Sequence, residues 1–131
     1  MGGDTYNLRV RLFSFNGTSR YQQYDQFRVH KGDSELELKV AGAGSAGDGL
    51  KDLNTEKFST YDDDNDGDSN RHIADEYQSG WWFKKELGTP LSNLNGVYYR
   101  PEEPRQPWHG IIWVNDESLM ETKMKIRLPL V

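Results

Sequence analysis

The first third of the chain contains three segments in which hydrophobic and polar residues alternate, the pattern of strands with one buried face. These segments are residues 6–15, 20–29 and 35–42. In the first, Leu8, Val10 and Leu12 fall on one side and arginines on the other. Short turns such as Asn16-Gly17-Thr18 separate the segments, so the pattern predicts an antiparallel meander.

The rest of the chain predicts less regular structure. A weak signal favours a short helix over residues 48–53, and two late strands are predicted at 110–114 and 124–131. We expect the late strands to return to the first sheet, because isolated strand pairs are marginally stable. The predicted fold class is α+β: a single domain at residues 1–131, with a sheet region at about 6–53, a loop-rich region at about 54–109 and returning strands at about 110–131.

Composition narrows the function classes. The chain has 131 residues, enough for one domain, and its 12% aromatic content predicts a small core rich in rings. A net charge of −5 argues against nonspecific binding to nucleic acids or anionic membranes. No apolar run is long enough to span a membrane. Because the chain has no cysteine, disulfides, thiolate catalysis and cysteine-ligated zinc are excluded.

The acidic segment "YDDDNDGDSN" is the strongest candidate for a metal site. Asp62, Asp64 and Asp66, followed by Gly67, have the spacing of the first half of an EF-hand loop, in which oxygen ligands converge on calcium. The second half does not fit, because Ile73 stands where a bidentate carboxylate is needed. Two interpretations stay open: a calcium loop of another kind, or a solvated acidic turn.

Several motifs in a fixed order resemble the C-terminal part of a fibrinogen-related domain, the module of fibrinogen chains, ficolins, tachylectins, tenascins and angiopoietins. They are "FSTYDDDNDGDSN", "SGWWF", "SNLNGVYY", "GIIWV" and "MKIR". The resemblance extends over about residues 6–128, and it implies that the N-terminal subdomain of the family is absent.

The resemblance implies a calcium cofactor in the acidic loop. It places the carboxylate ligands at Asp64 and Asp66, with backbone carbonyls near Asp68 and Asn70 completing the site. For the ligand pocket it implies Tyr77, which matches the pocket tyrosine of the family, together with Trp82 and Glu86.

Trp81 and Trp82 also have a purely structural interpretation, as packing residues of the core, since buried rings are common in aromatic cores. The two family cysteines that bracket this segment are replaced, at Ile73 and near Glu86.

Two function hypotheses follow. The first is a non-catalytic, secreted, lectin-like recognition module that binds glycan or protein ligands with the help of calcium. The second is a structural or engineered minimal scaffold that keeps the calcium loop and has lost the ligand pocket. Enzyme activity is not expected, because no nucleophile elbow is present and the histidines lack the spacing of a metal pair. They are His30, His72 and His109.

Overall fold

A computed structural model describes residues 5–32, 35–37, 40–50, 53–60, 62–63, 73–83 and 90–128. Seven strands and one short helix are defined in these residues: β1 (Tyr6–Phe13), β2 (Ser19–Val29), β3 (Leu36–Glu37), β4 (Val40–Gly44), α1 (Ile73–Tyr77), β5 (Ser92–Asn93), β6 (Ile112–Trp113) and β7 (Glu121–Arg127). No helix among them is long and apolar enough to cross a membrane.

The main sheet has the strand order β3-β2-β1-β7, and β4 also pairs with β2. All of its pairings are antiparallel, which confirms the predicted meander. The last strand returns to β1, as expected, with Val10 opposite Met124 and Arg9 opposite Lys125. It begins at Glu121, three residues before the predicted strand. The third predicted segment forms β3 and β4, with residues 38 and 39 outside the described residues.

A β-bulge in β2 brings two aromatic rings onto the buried face. Tyr24 and Phe27 are three positions apart, so a regular strand would place them on opposite faces. The register with β1 shifts by one residue between them, and Gln26 adopts a left-handed φ of 57°. As a result both rings are buried, at 0% and 4% exposure, beside Leu8 and Val10.

Two predicted elements differ from the structure. In the segment expected to form a helix, residues 48–50 are loop and turn, and residues 51 and 52 lie outside the described residues. The turn is held by Tyr24, whose hydroxyl bonds both Asp48 and the Leu50 N–H. The one described helix, α1, lies instead in a segment that looks like a poor helix former.

The late strand predicted at residues 110–114 shortens to β6. It pairs with β5 in a separate two-stranded sheet, with Ser92 opposite Trp113 and Asn93 opposite Ile112. The expectation that both late strands join the first sheet therefore holds for β7 only. The indole N–H of Trp113 donates to the Gly47 carbonyl at 2.9 Å, which ties the small sheet to the end of β4.

Candidate functional site

The predicted calcium ligands Asp64, Asp66, Asp68 and Asn70, and the predicted pocket residue Glu86, lie outside the described residues. The structure describes the chain up to Asp63 and again from residue 73. In the described part of the chain, no group of three or more His, Cys, Asp or Glu side chains has the arrangement of a metal site.

The described start of the acidic segment, Thr60 to Asp63, is a hydrogen-bonded turn. The backbones of Thr60 and Asp63 exchange two hydrogen bonds, each 3.1 Å long. The Thr60 hydroxyl donates to an Asp62 carboxylate oxygen at 2.6 Å. Asp62 thus closes the turn, a common role for an aspartate at such a position.

The described chain resumes at α1, which is short but firmly anchored. Ile73, Ala74 and Tyr77 are buried. The helix ends in a Schellman motif, in which the Ser79 N–H donates to the Ala74 carbonyl at 2.9 Å and Gln78 adopts a left-handed φ of 54°. Burial of one face and a satisfied C-terminus explain how five residues of weak helix propensity form a helix.

A groove of about 660 Å³, lined mainly by polar residue types, lies between these two anchors. Its described lining residues are Thr60, Asp62, Asp75, Gln78, Ser79, Gly80 and Asn95. Two of them are exposed carboxylates and none is a lysine or arginine, so the described part of the lining is acidic. An acidic groove favours cations and ligands that donate hydrogen bonds.

The wall of the groove is built by paired backbones and buried polar contacts. Ser59 and Trp81 pair through two backbone hydrogen bonds of 2.9 and 3.1 Å. The Trp81 indole N–H donates to the Ser92 hydroxyl at 3.1 Å, and the Asn95 amide donates to the Gly80 carbonyl at 2.8 Å. The Ser79 hydroxyl donates to Asn93. The groove therefore has a rigid wall, as a preorganised binding site requires.

The two described residues of the predicted ligand pocket are both buried. Trp82 is 6% exposed and packs edge-on against Phe27 and Phe58, with centroids 6.4 and 5.1 Å apart. Tyr77 is 4% exposed and stacks on His109 at 4.4 Å. Tyr77 also stacks on Phe83 at 6.3 Å, and both Tyr77 and Trp82 belong to the same aromatic core.

Sequence reasoning missed most of the groove. Asp75, Gln78, Ser79 and Asn95 all belong to the region predicted to be loop-rich. Their convergence depends on the Schellman turn and on pairing between distant segments. Residues 92–95 form hydrogen bonds with residues 79–81, which are more than ten positions away in the sequence. A local sequence pattern does not predict such a contact.

Comparison with known proteins places the chain in a family. Residues 2–129 match the family model described as the C-terminal globular domain of fibrinogen beta and gamma chains. The chain belongs to this family, as the order of its motifs indicated.

Relatives confirm the assignment. The chain is 38% identical to rat fibrinogen-like protein 1, over 97% of this chain and 44% of that protein. It is 50% identical to fibrinogen-like protein A of Apostichopus parvimensis, over 93% of this chain and 43% of that protein. Human angiopoietin-4 is 38% identical to the chain, over 93% of this chain and 25% of that protein. The chain thus spans less than half the length of each of these relatives.

Solved structures show the same fold. The fibrinogen-like globe domain of human ANGPTL6 matches with a TM-score of 0.85 and 30% identity, over 98% of this chain and 59% of that one. A lamprey fibrin D-dimer, complexed with the peptide ligand Gly-His-Arg-Pro-amide, matches with a TM-score of 0.83 and 27% identity, over 94% and 45%. The mostly antiparallel architecture with little helix is that of the fibrinogen C-terminal fold.

Proposed function

We propose that this chain is a non-catalytic recognition module that binds a protein or glycan ligand in the acidic groove, with calcium in the adjoining loop. The observation that carries the proposal is the pair of anchors at Thr60–Asp63 and at α1. They hold the ends of the acidic loop beside a groove that has a hydrogen-bonded wall. A cation bound by the acidic segment would therefore act next to one side of the groove.

The donor set of the loop suits calcium. Asp64 and Asp66 would supply carboxylate oxygens, and backbone carbonyls near Asp68 and Asn70 would complete the site; all of these are the hard oxygen ligands that calcium prefers. Calcium, when bound, would neutralise the repulsion among these acids. Asp62 is engaged by the Thr60 hydroxyl, so its role is to shape the turn.

The family supports a binding role. The lamprey fibrin D-dimer is complexed with Gly-His-Arg-Pro-amide, a short peptide that contains an arginine. A cationic peptide of this kind is compatible with an acidic groove. Fibrinogen-like protein 1 and angiopoietin-4 are secreted extracellular proteins, and we propose the same location for this chain.

The alternative is a structural scaffold, and the burial of Tyr77 and Trp82 favours it. Both side chains are used to pack the core, so neither presents a platform to a ligand. On this hypothesis the calcium loop is kept for stability alone.

The calcium proposal is tested by thermal unfolding with and without calcium. An ion that binds only the folded state stabilises it and so raises the melting temperature. At a free ion concentration a hundredfold above the dissociation constant, the free energy of unfolding increases by about 2.7 kcal/mol. Asp64→Asn with Asp66→Asn should abolish the rise. The matched control is Glu102→Gln with Glu121→Gln, two exposed acids elsewhere, which should keep it. A melting curve unmoved by millimolar calcium in the unmutated chain contradicts the proposal.

Ligand binding separates the two hypotheses. Gly-His-Arg-Pro-amide and a glycan array serve as probes, each applied with calcium and with a chelator. Binding that the chelator removes, and that Asp75→Asn weakens, supports a recognition module. No binding despite a calcium-induced rise in melting temperature supports the scaffold.

A further inference from the structure

One face of the main sheet carries a basic patch that the groove does not use. It consists of Arg9, Arg11, Lys123, Lys125 and Arg127, and we call it the basic face. In the antiparallel register Arg9 lies opposite Lys125, and Arg11 lies opposite Lys123. Residues directly opposite one another point to the same side of a sheet, so these side chains form a two-row array.

The array is regular and narrow. Opposite side chains in such a ladder are about 5 Å apart, and successive ones on a strand are about 7 Å apart. The row on β7 therefore extends over about 14 Å from Lys123 to Arg127. Arg9 and all three basic side chains of β7 are exposed, and Arg11 is half-buried.

The basic side chains form no ion pair in the described part of the chain. The acids that come nearest along the ladder stand at its margins: Glu121, opposite Phe13, and Asp25, two residues beyond Gln23. Five positive charges on two strands of a chain with net charge −5 are a strong local asymmetry. The lysines lie on β7, which is at the edge of the described sheet, and lysines on an edge strand protect against aggregation. The arginines lie on β1, which is an interior strand, so edge protection does not explain them.

We propose that the basic face binds a linear sulfated polysaccharide of the heparin class. Clusters of lysine and arginine recognise such polyanions through charge. A flexible chain with sulfates along both sides matches a strip two strands wide. The site is distinct from the acidic groove, and its occupancy requires no calcium.

Two other polyanions fit the face less well. Single-stranded nucleic acids need open aromatic rings on which bases stack. Here the Phe13 ring is covered by Arg11 at 5.1 Å and by Lys123 at 5.6 Å, and the Tyr21 ring by Arg9 at 5.3 Å. A DNA duplex or a membrane presents a wide anionic surface, which would also meet the acidic remainder of the chain.

The test measures binding of a fluorescent heparin octasaccharide by anisotropy, in chelator, from about 50 to about 200 mM NaCl. We expect affinity to fall steeply with salt and fully desulfated heparin not to bind. Lys123→Gln with Lys125→Gln should weaken binding about tenfold or more and reduce the salt slope by about two. The matched control is Lys31→Gln with Lys57→Gln, two exposed lysines away from the face, which should change affinity less than about twofold.

Three results would overturn the proposal. One is the absence of octasaccharide binding at the lowest salt. Another is an equal loss in both lysine pairs, which would mean that net charge alone acts. The third is tighter binding to a DNA duplex, or to phosphatidylserine vesicles, than to the octasaccharide. A thermal unfolding curve for each variant shows whether it is folded, and Lys125→Gln alone replaces the pair if the double variant is not.

Discussion

The hydroxyl of Tyr24 donates a hydrogen bond of 2.6 Å to a carboxylate oxygen of Asp48. The same oxygen of the tyrosine accepts from the Leu50 N–H at 3.3 Å. The side chain is fully buried, so these contacts fasten the turn after β4 to the middle of the main sheet. A buried hydroxyl in this position needs its partners, because an unpaired polar group in the core is costly.

Tyr24→Phe should destabilise the domain by about 1 to 2 kcal/mol, because Asp48 and the Leu50 N–H lose their shared partner. Denaturant unfolding measures the change. Tyr21→Phe is the control, since that ring is 37% exposed and its hydroxyl has no described hydrogen bond. Equal midpoints for the two variants would contradict a structural role for the Tyr24 hydroxyl.

Tyr24 should also make stability fall at alkaline pH. Burial, together with the Asp48 hydrogen bond, raises the pKa of Tyr24 well above its ordinary value of 10.0. Above that pH the unfolded chain releases the proton while the folded one retains it, so this group costs about 1.4 kcal/mol of stability per pH unit. The stability gap between the unmutated chain and Tyr24→Phe should therefore narrow above about pH 10. A constant gap from about pH 8 to about pH 11 would argue against this linkage.

Asp116 should contribute to stability except in acid. Burial opposes ionisation of the carboxyl, but hydrogen bonds from the Arg105 guanidinium and the Trp108 N–H outweigh it and hold the pKa of Asp116 below 3.8. The stabilising contribution of the Asp116 carboxylate is fully present above about pH 3.8, the ordinary pKa of the group. It is lost as the pH falls through the lowered pKa of the folded state.

Asp116→Asn should cost less than about 1 kcal/mol at neutral pH, because the pair keeps contact with water. The cost should shrink below about pH 4. Glu102→Gln, an exposed acid, is the comparison in urea unfolding at both pH values. A cost that is larger in acid would mean that the carboxylate is not the stabilising form.

Gln78→Gly should stabilise the domain by about 0.5 to 1 kcal/mol, because glycine adopts the left-handed conformation at the end of α1 without strain. Thermal unfolding measures the gain. Gln106→Gly, at an exposed turn position without a left-handed φ, should give no gain. Destabilisation by Gln78→Gly would show that contacts of the glutamine side chain outweigh the strain.

Gly96→Ala should destabilise the domain by about 1 to 3 kcal/mol, since its new methyl carbon would lie 2.0 Å from the Gly110 carbonyl oxygen and force the backbone to move. Gly42→Ala is the control, because there the nearest atom is 3.5 Å away. A similar unfolding midpoint for both variants would mean that the backbones at Gly96 and Gly110 can move apart without loss of stability.

Alternation along the chain was enough to predict the meander, because a period of two places successive side chains on opposite faces of a strand. Leu8, Val10 and Leu12 are buried as that pattern requires. The motif order was also enough to identify the family. The calcium site stays a prediction, since it rests on Asp64 and Asp66, which lie outside the described residues.

Other features were decided by contacts between distant segments. The bulge at Gln26 buries Tyr24 and Phe27 together, against the period of the strand. The basic face joins Arg9 to Lys125, which lies near the opposite end of the chain. Local sequence encodes which side of a strand a residue occupies. Pairing partners and register depend on the packing of the whole core, so only the tertiary structure revealed which charges share a surface.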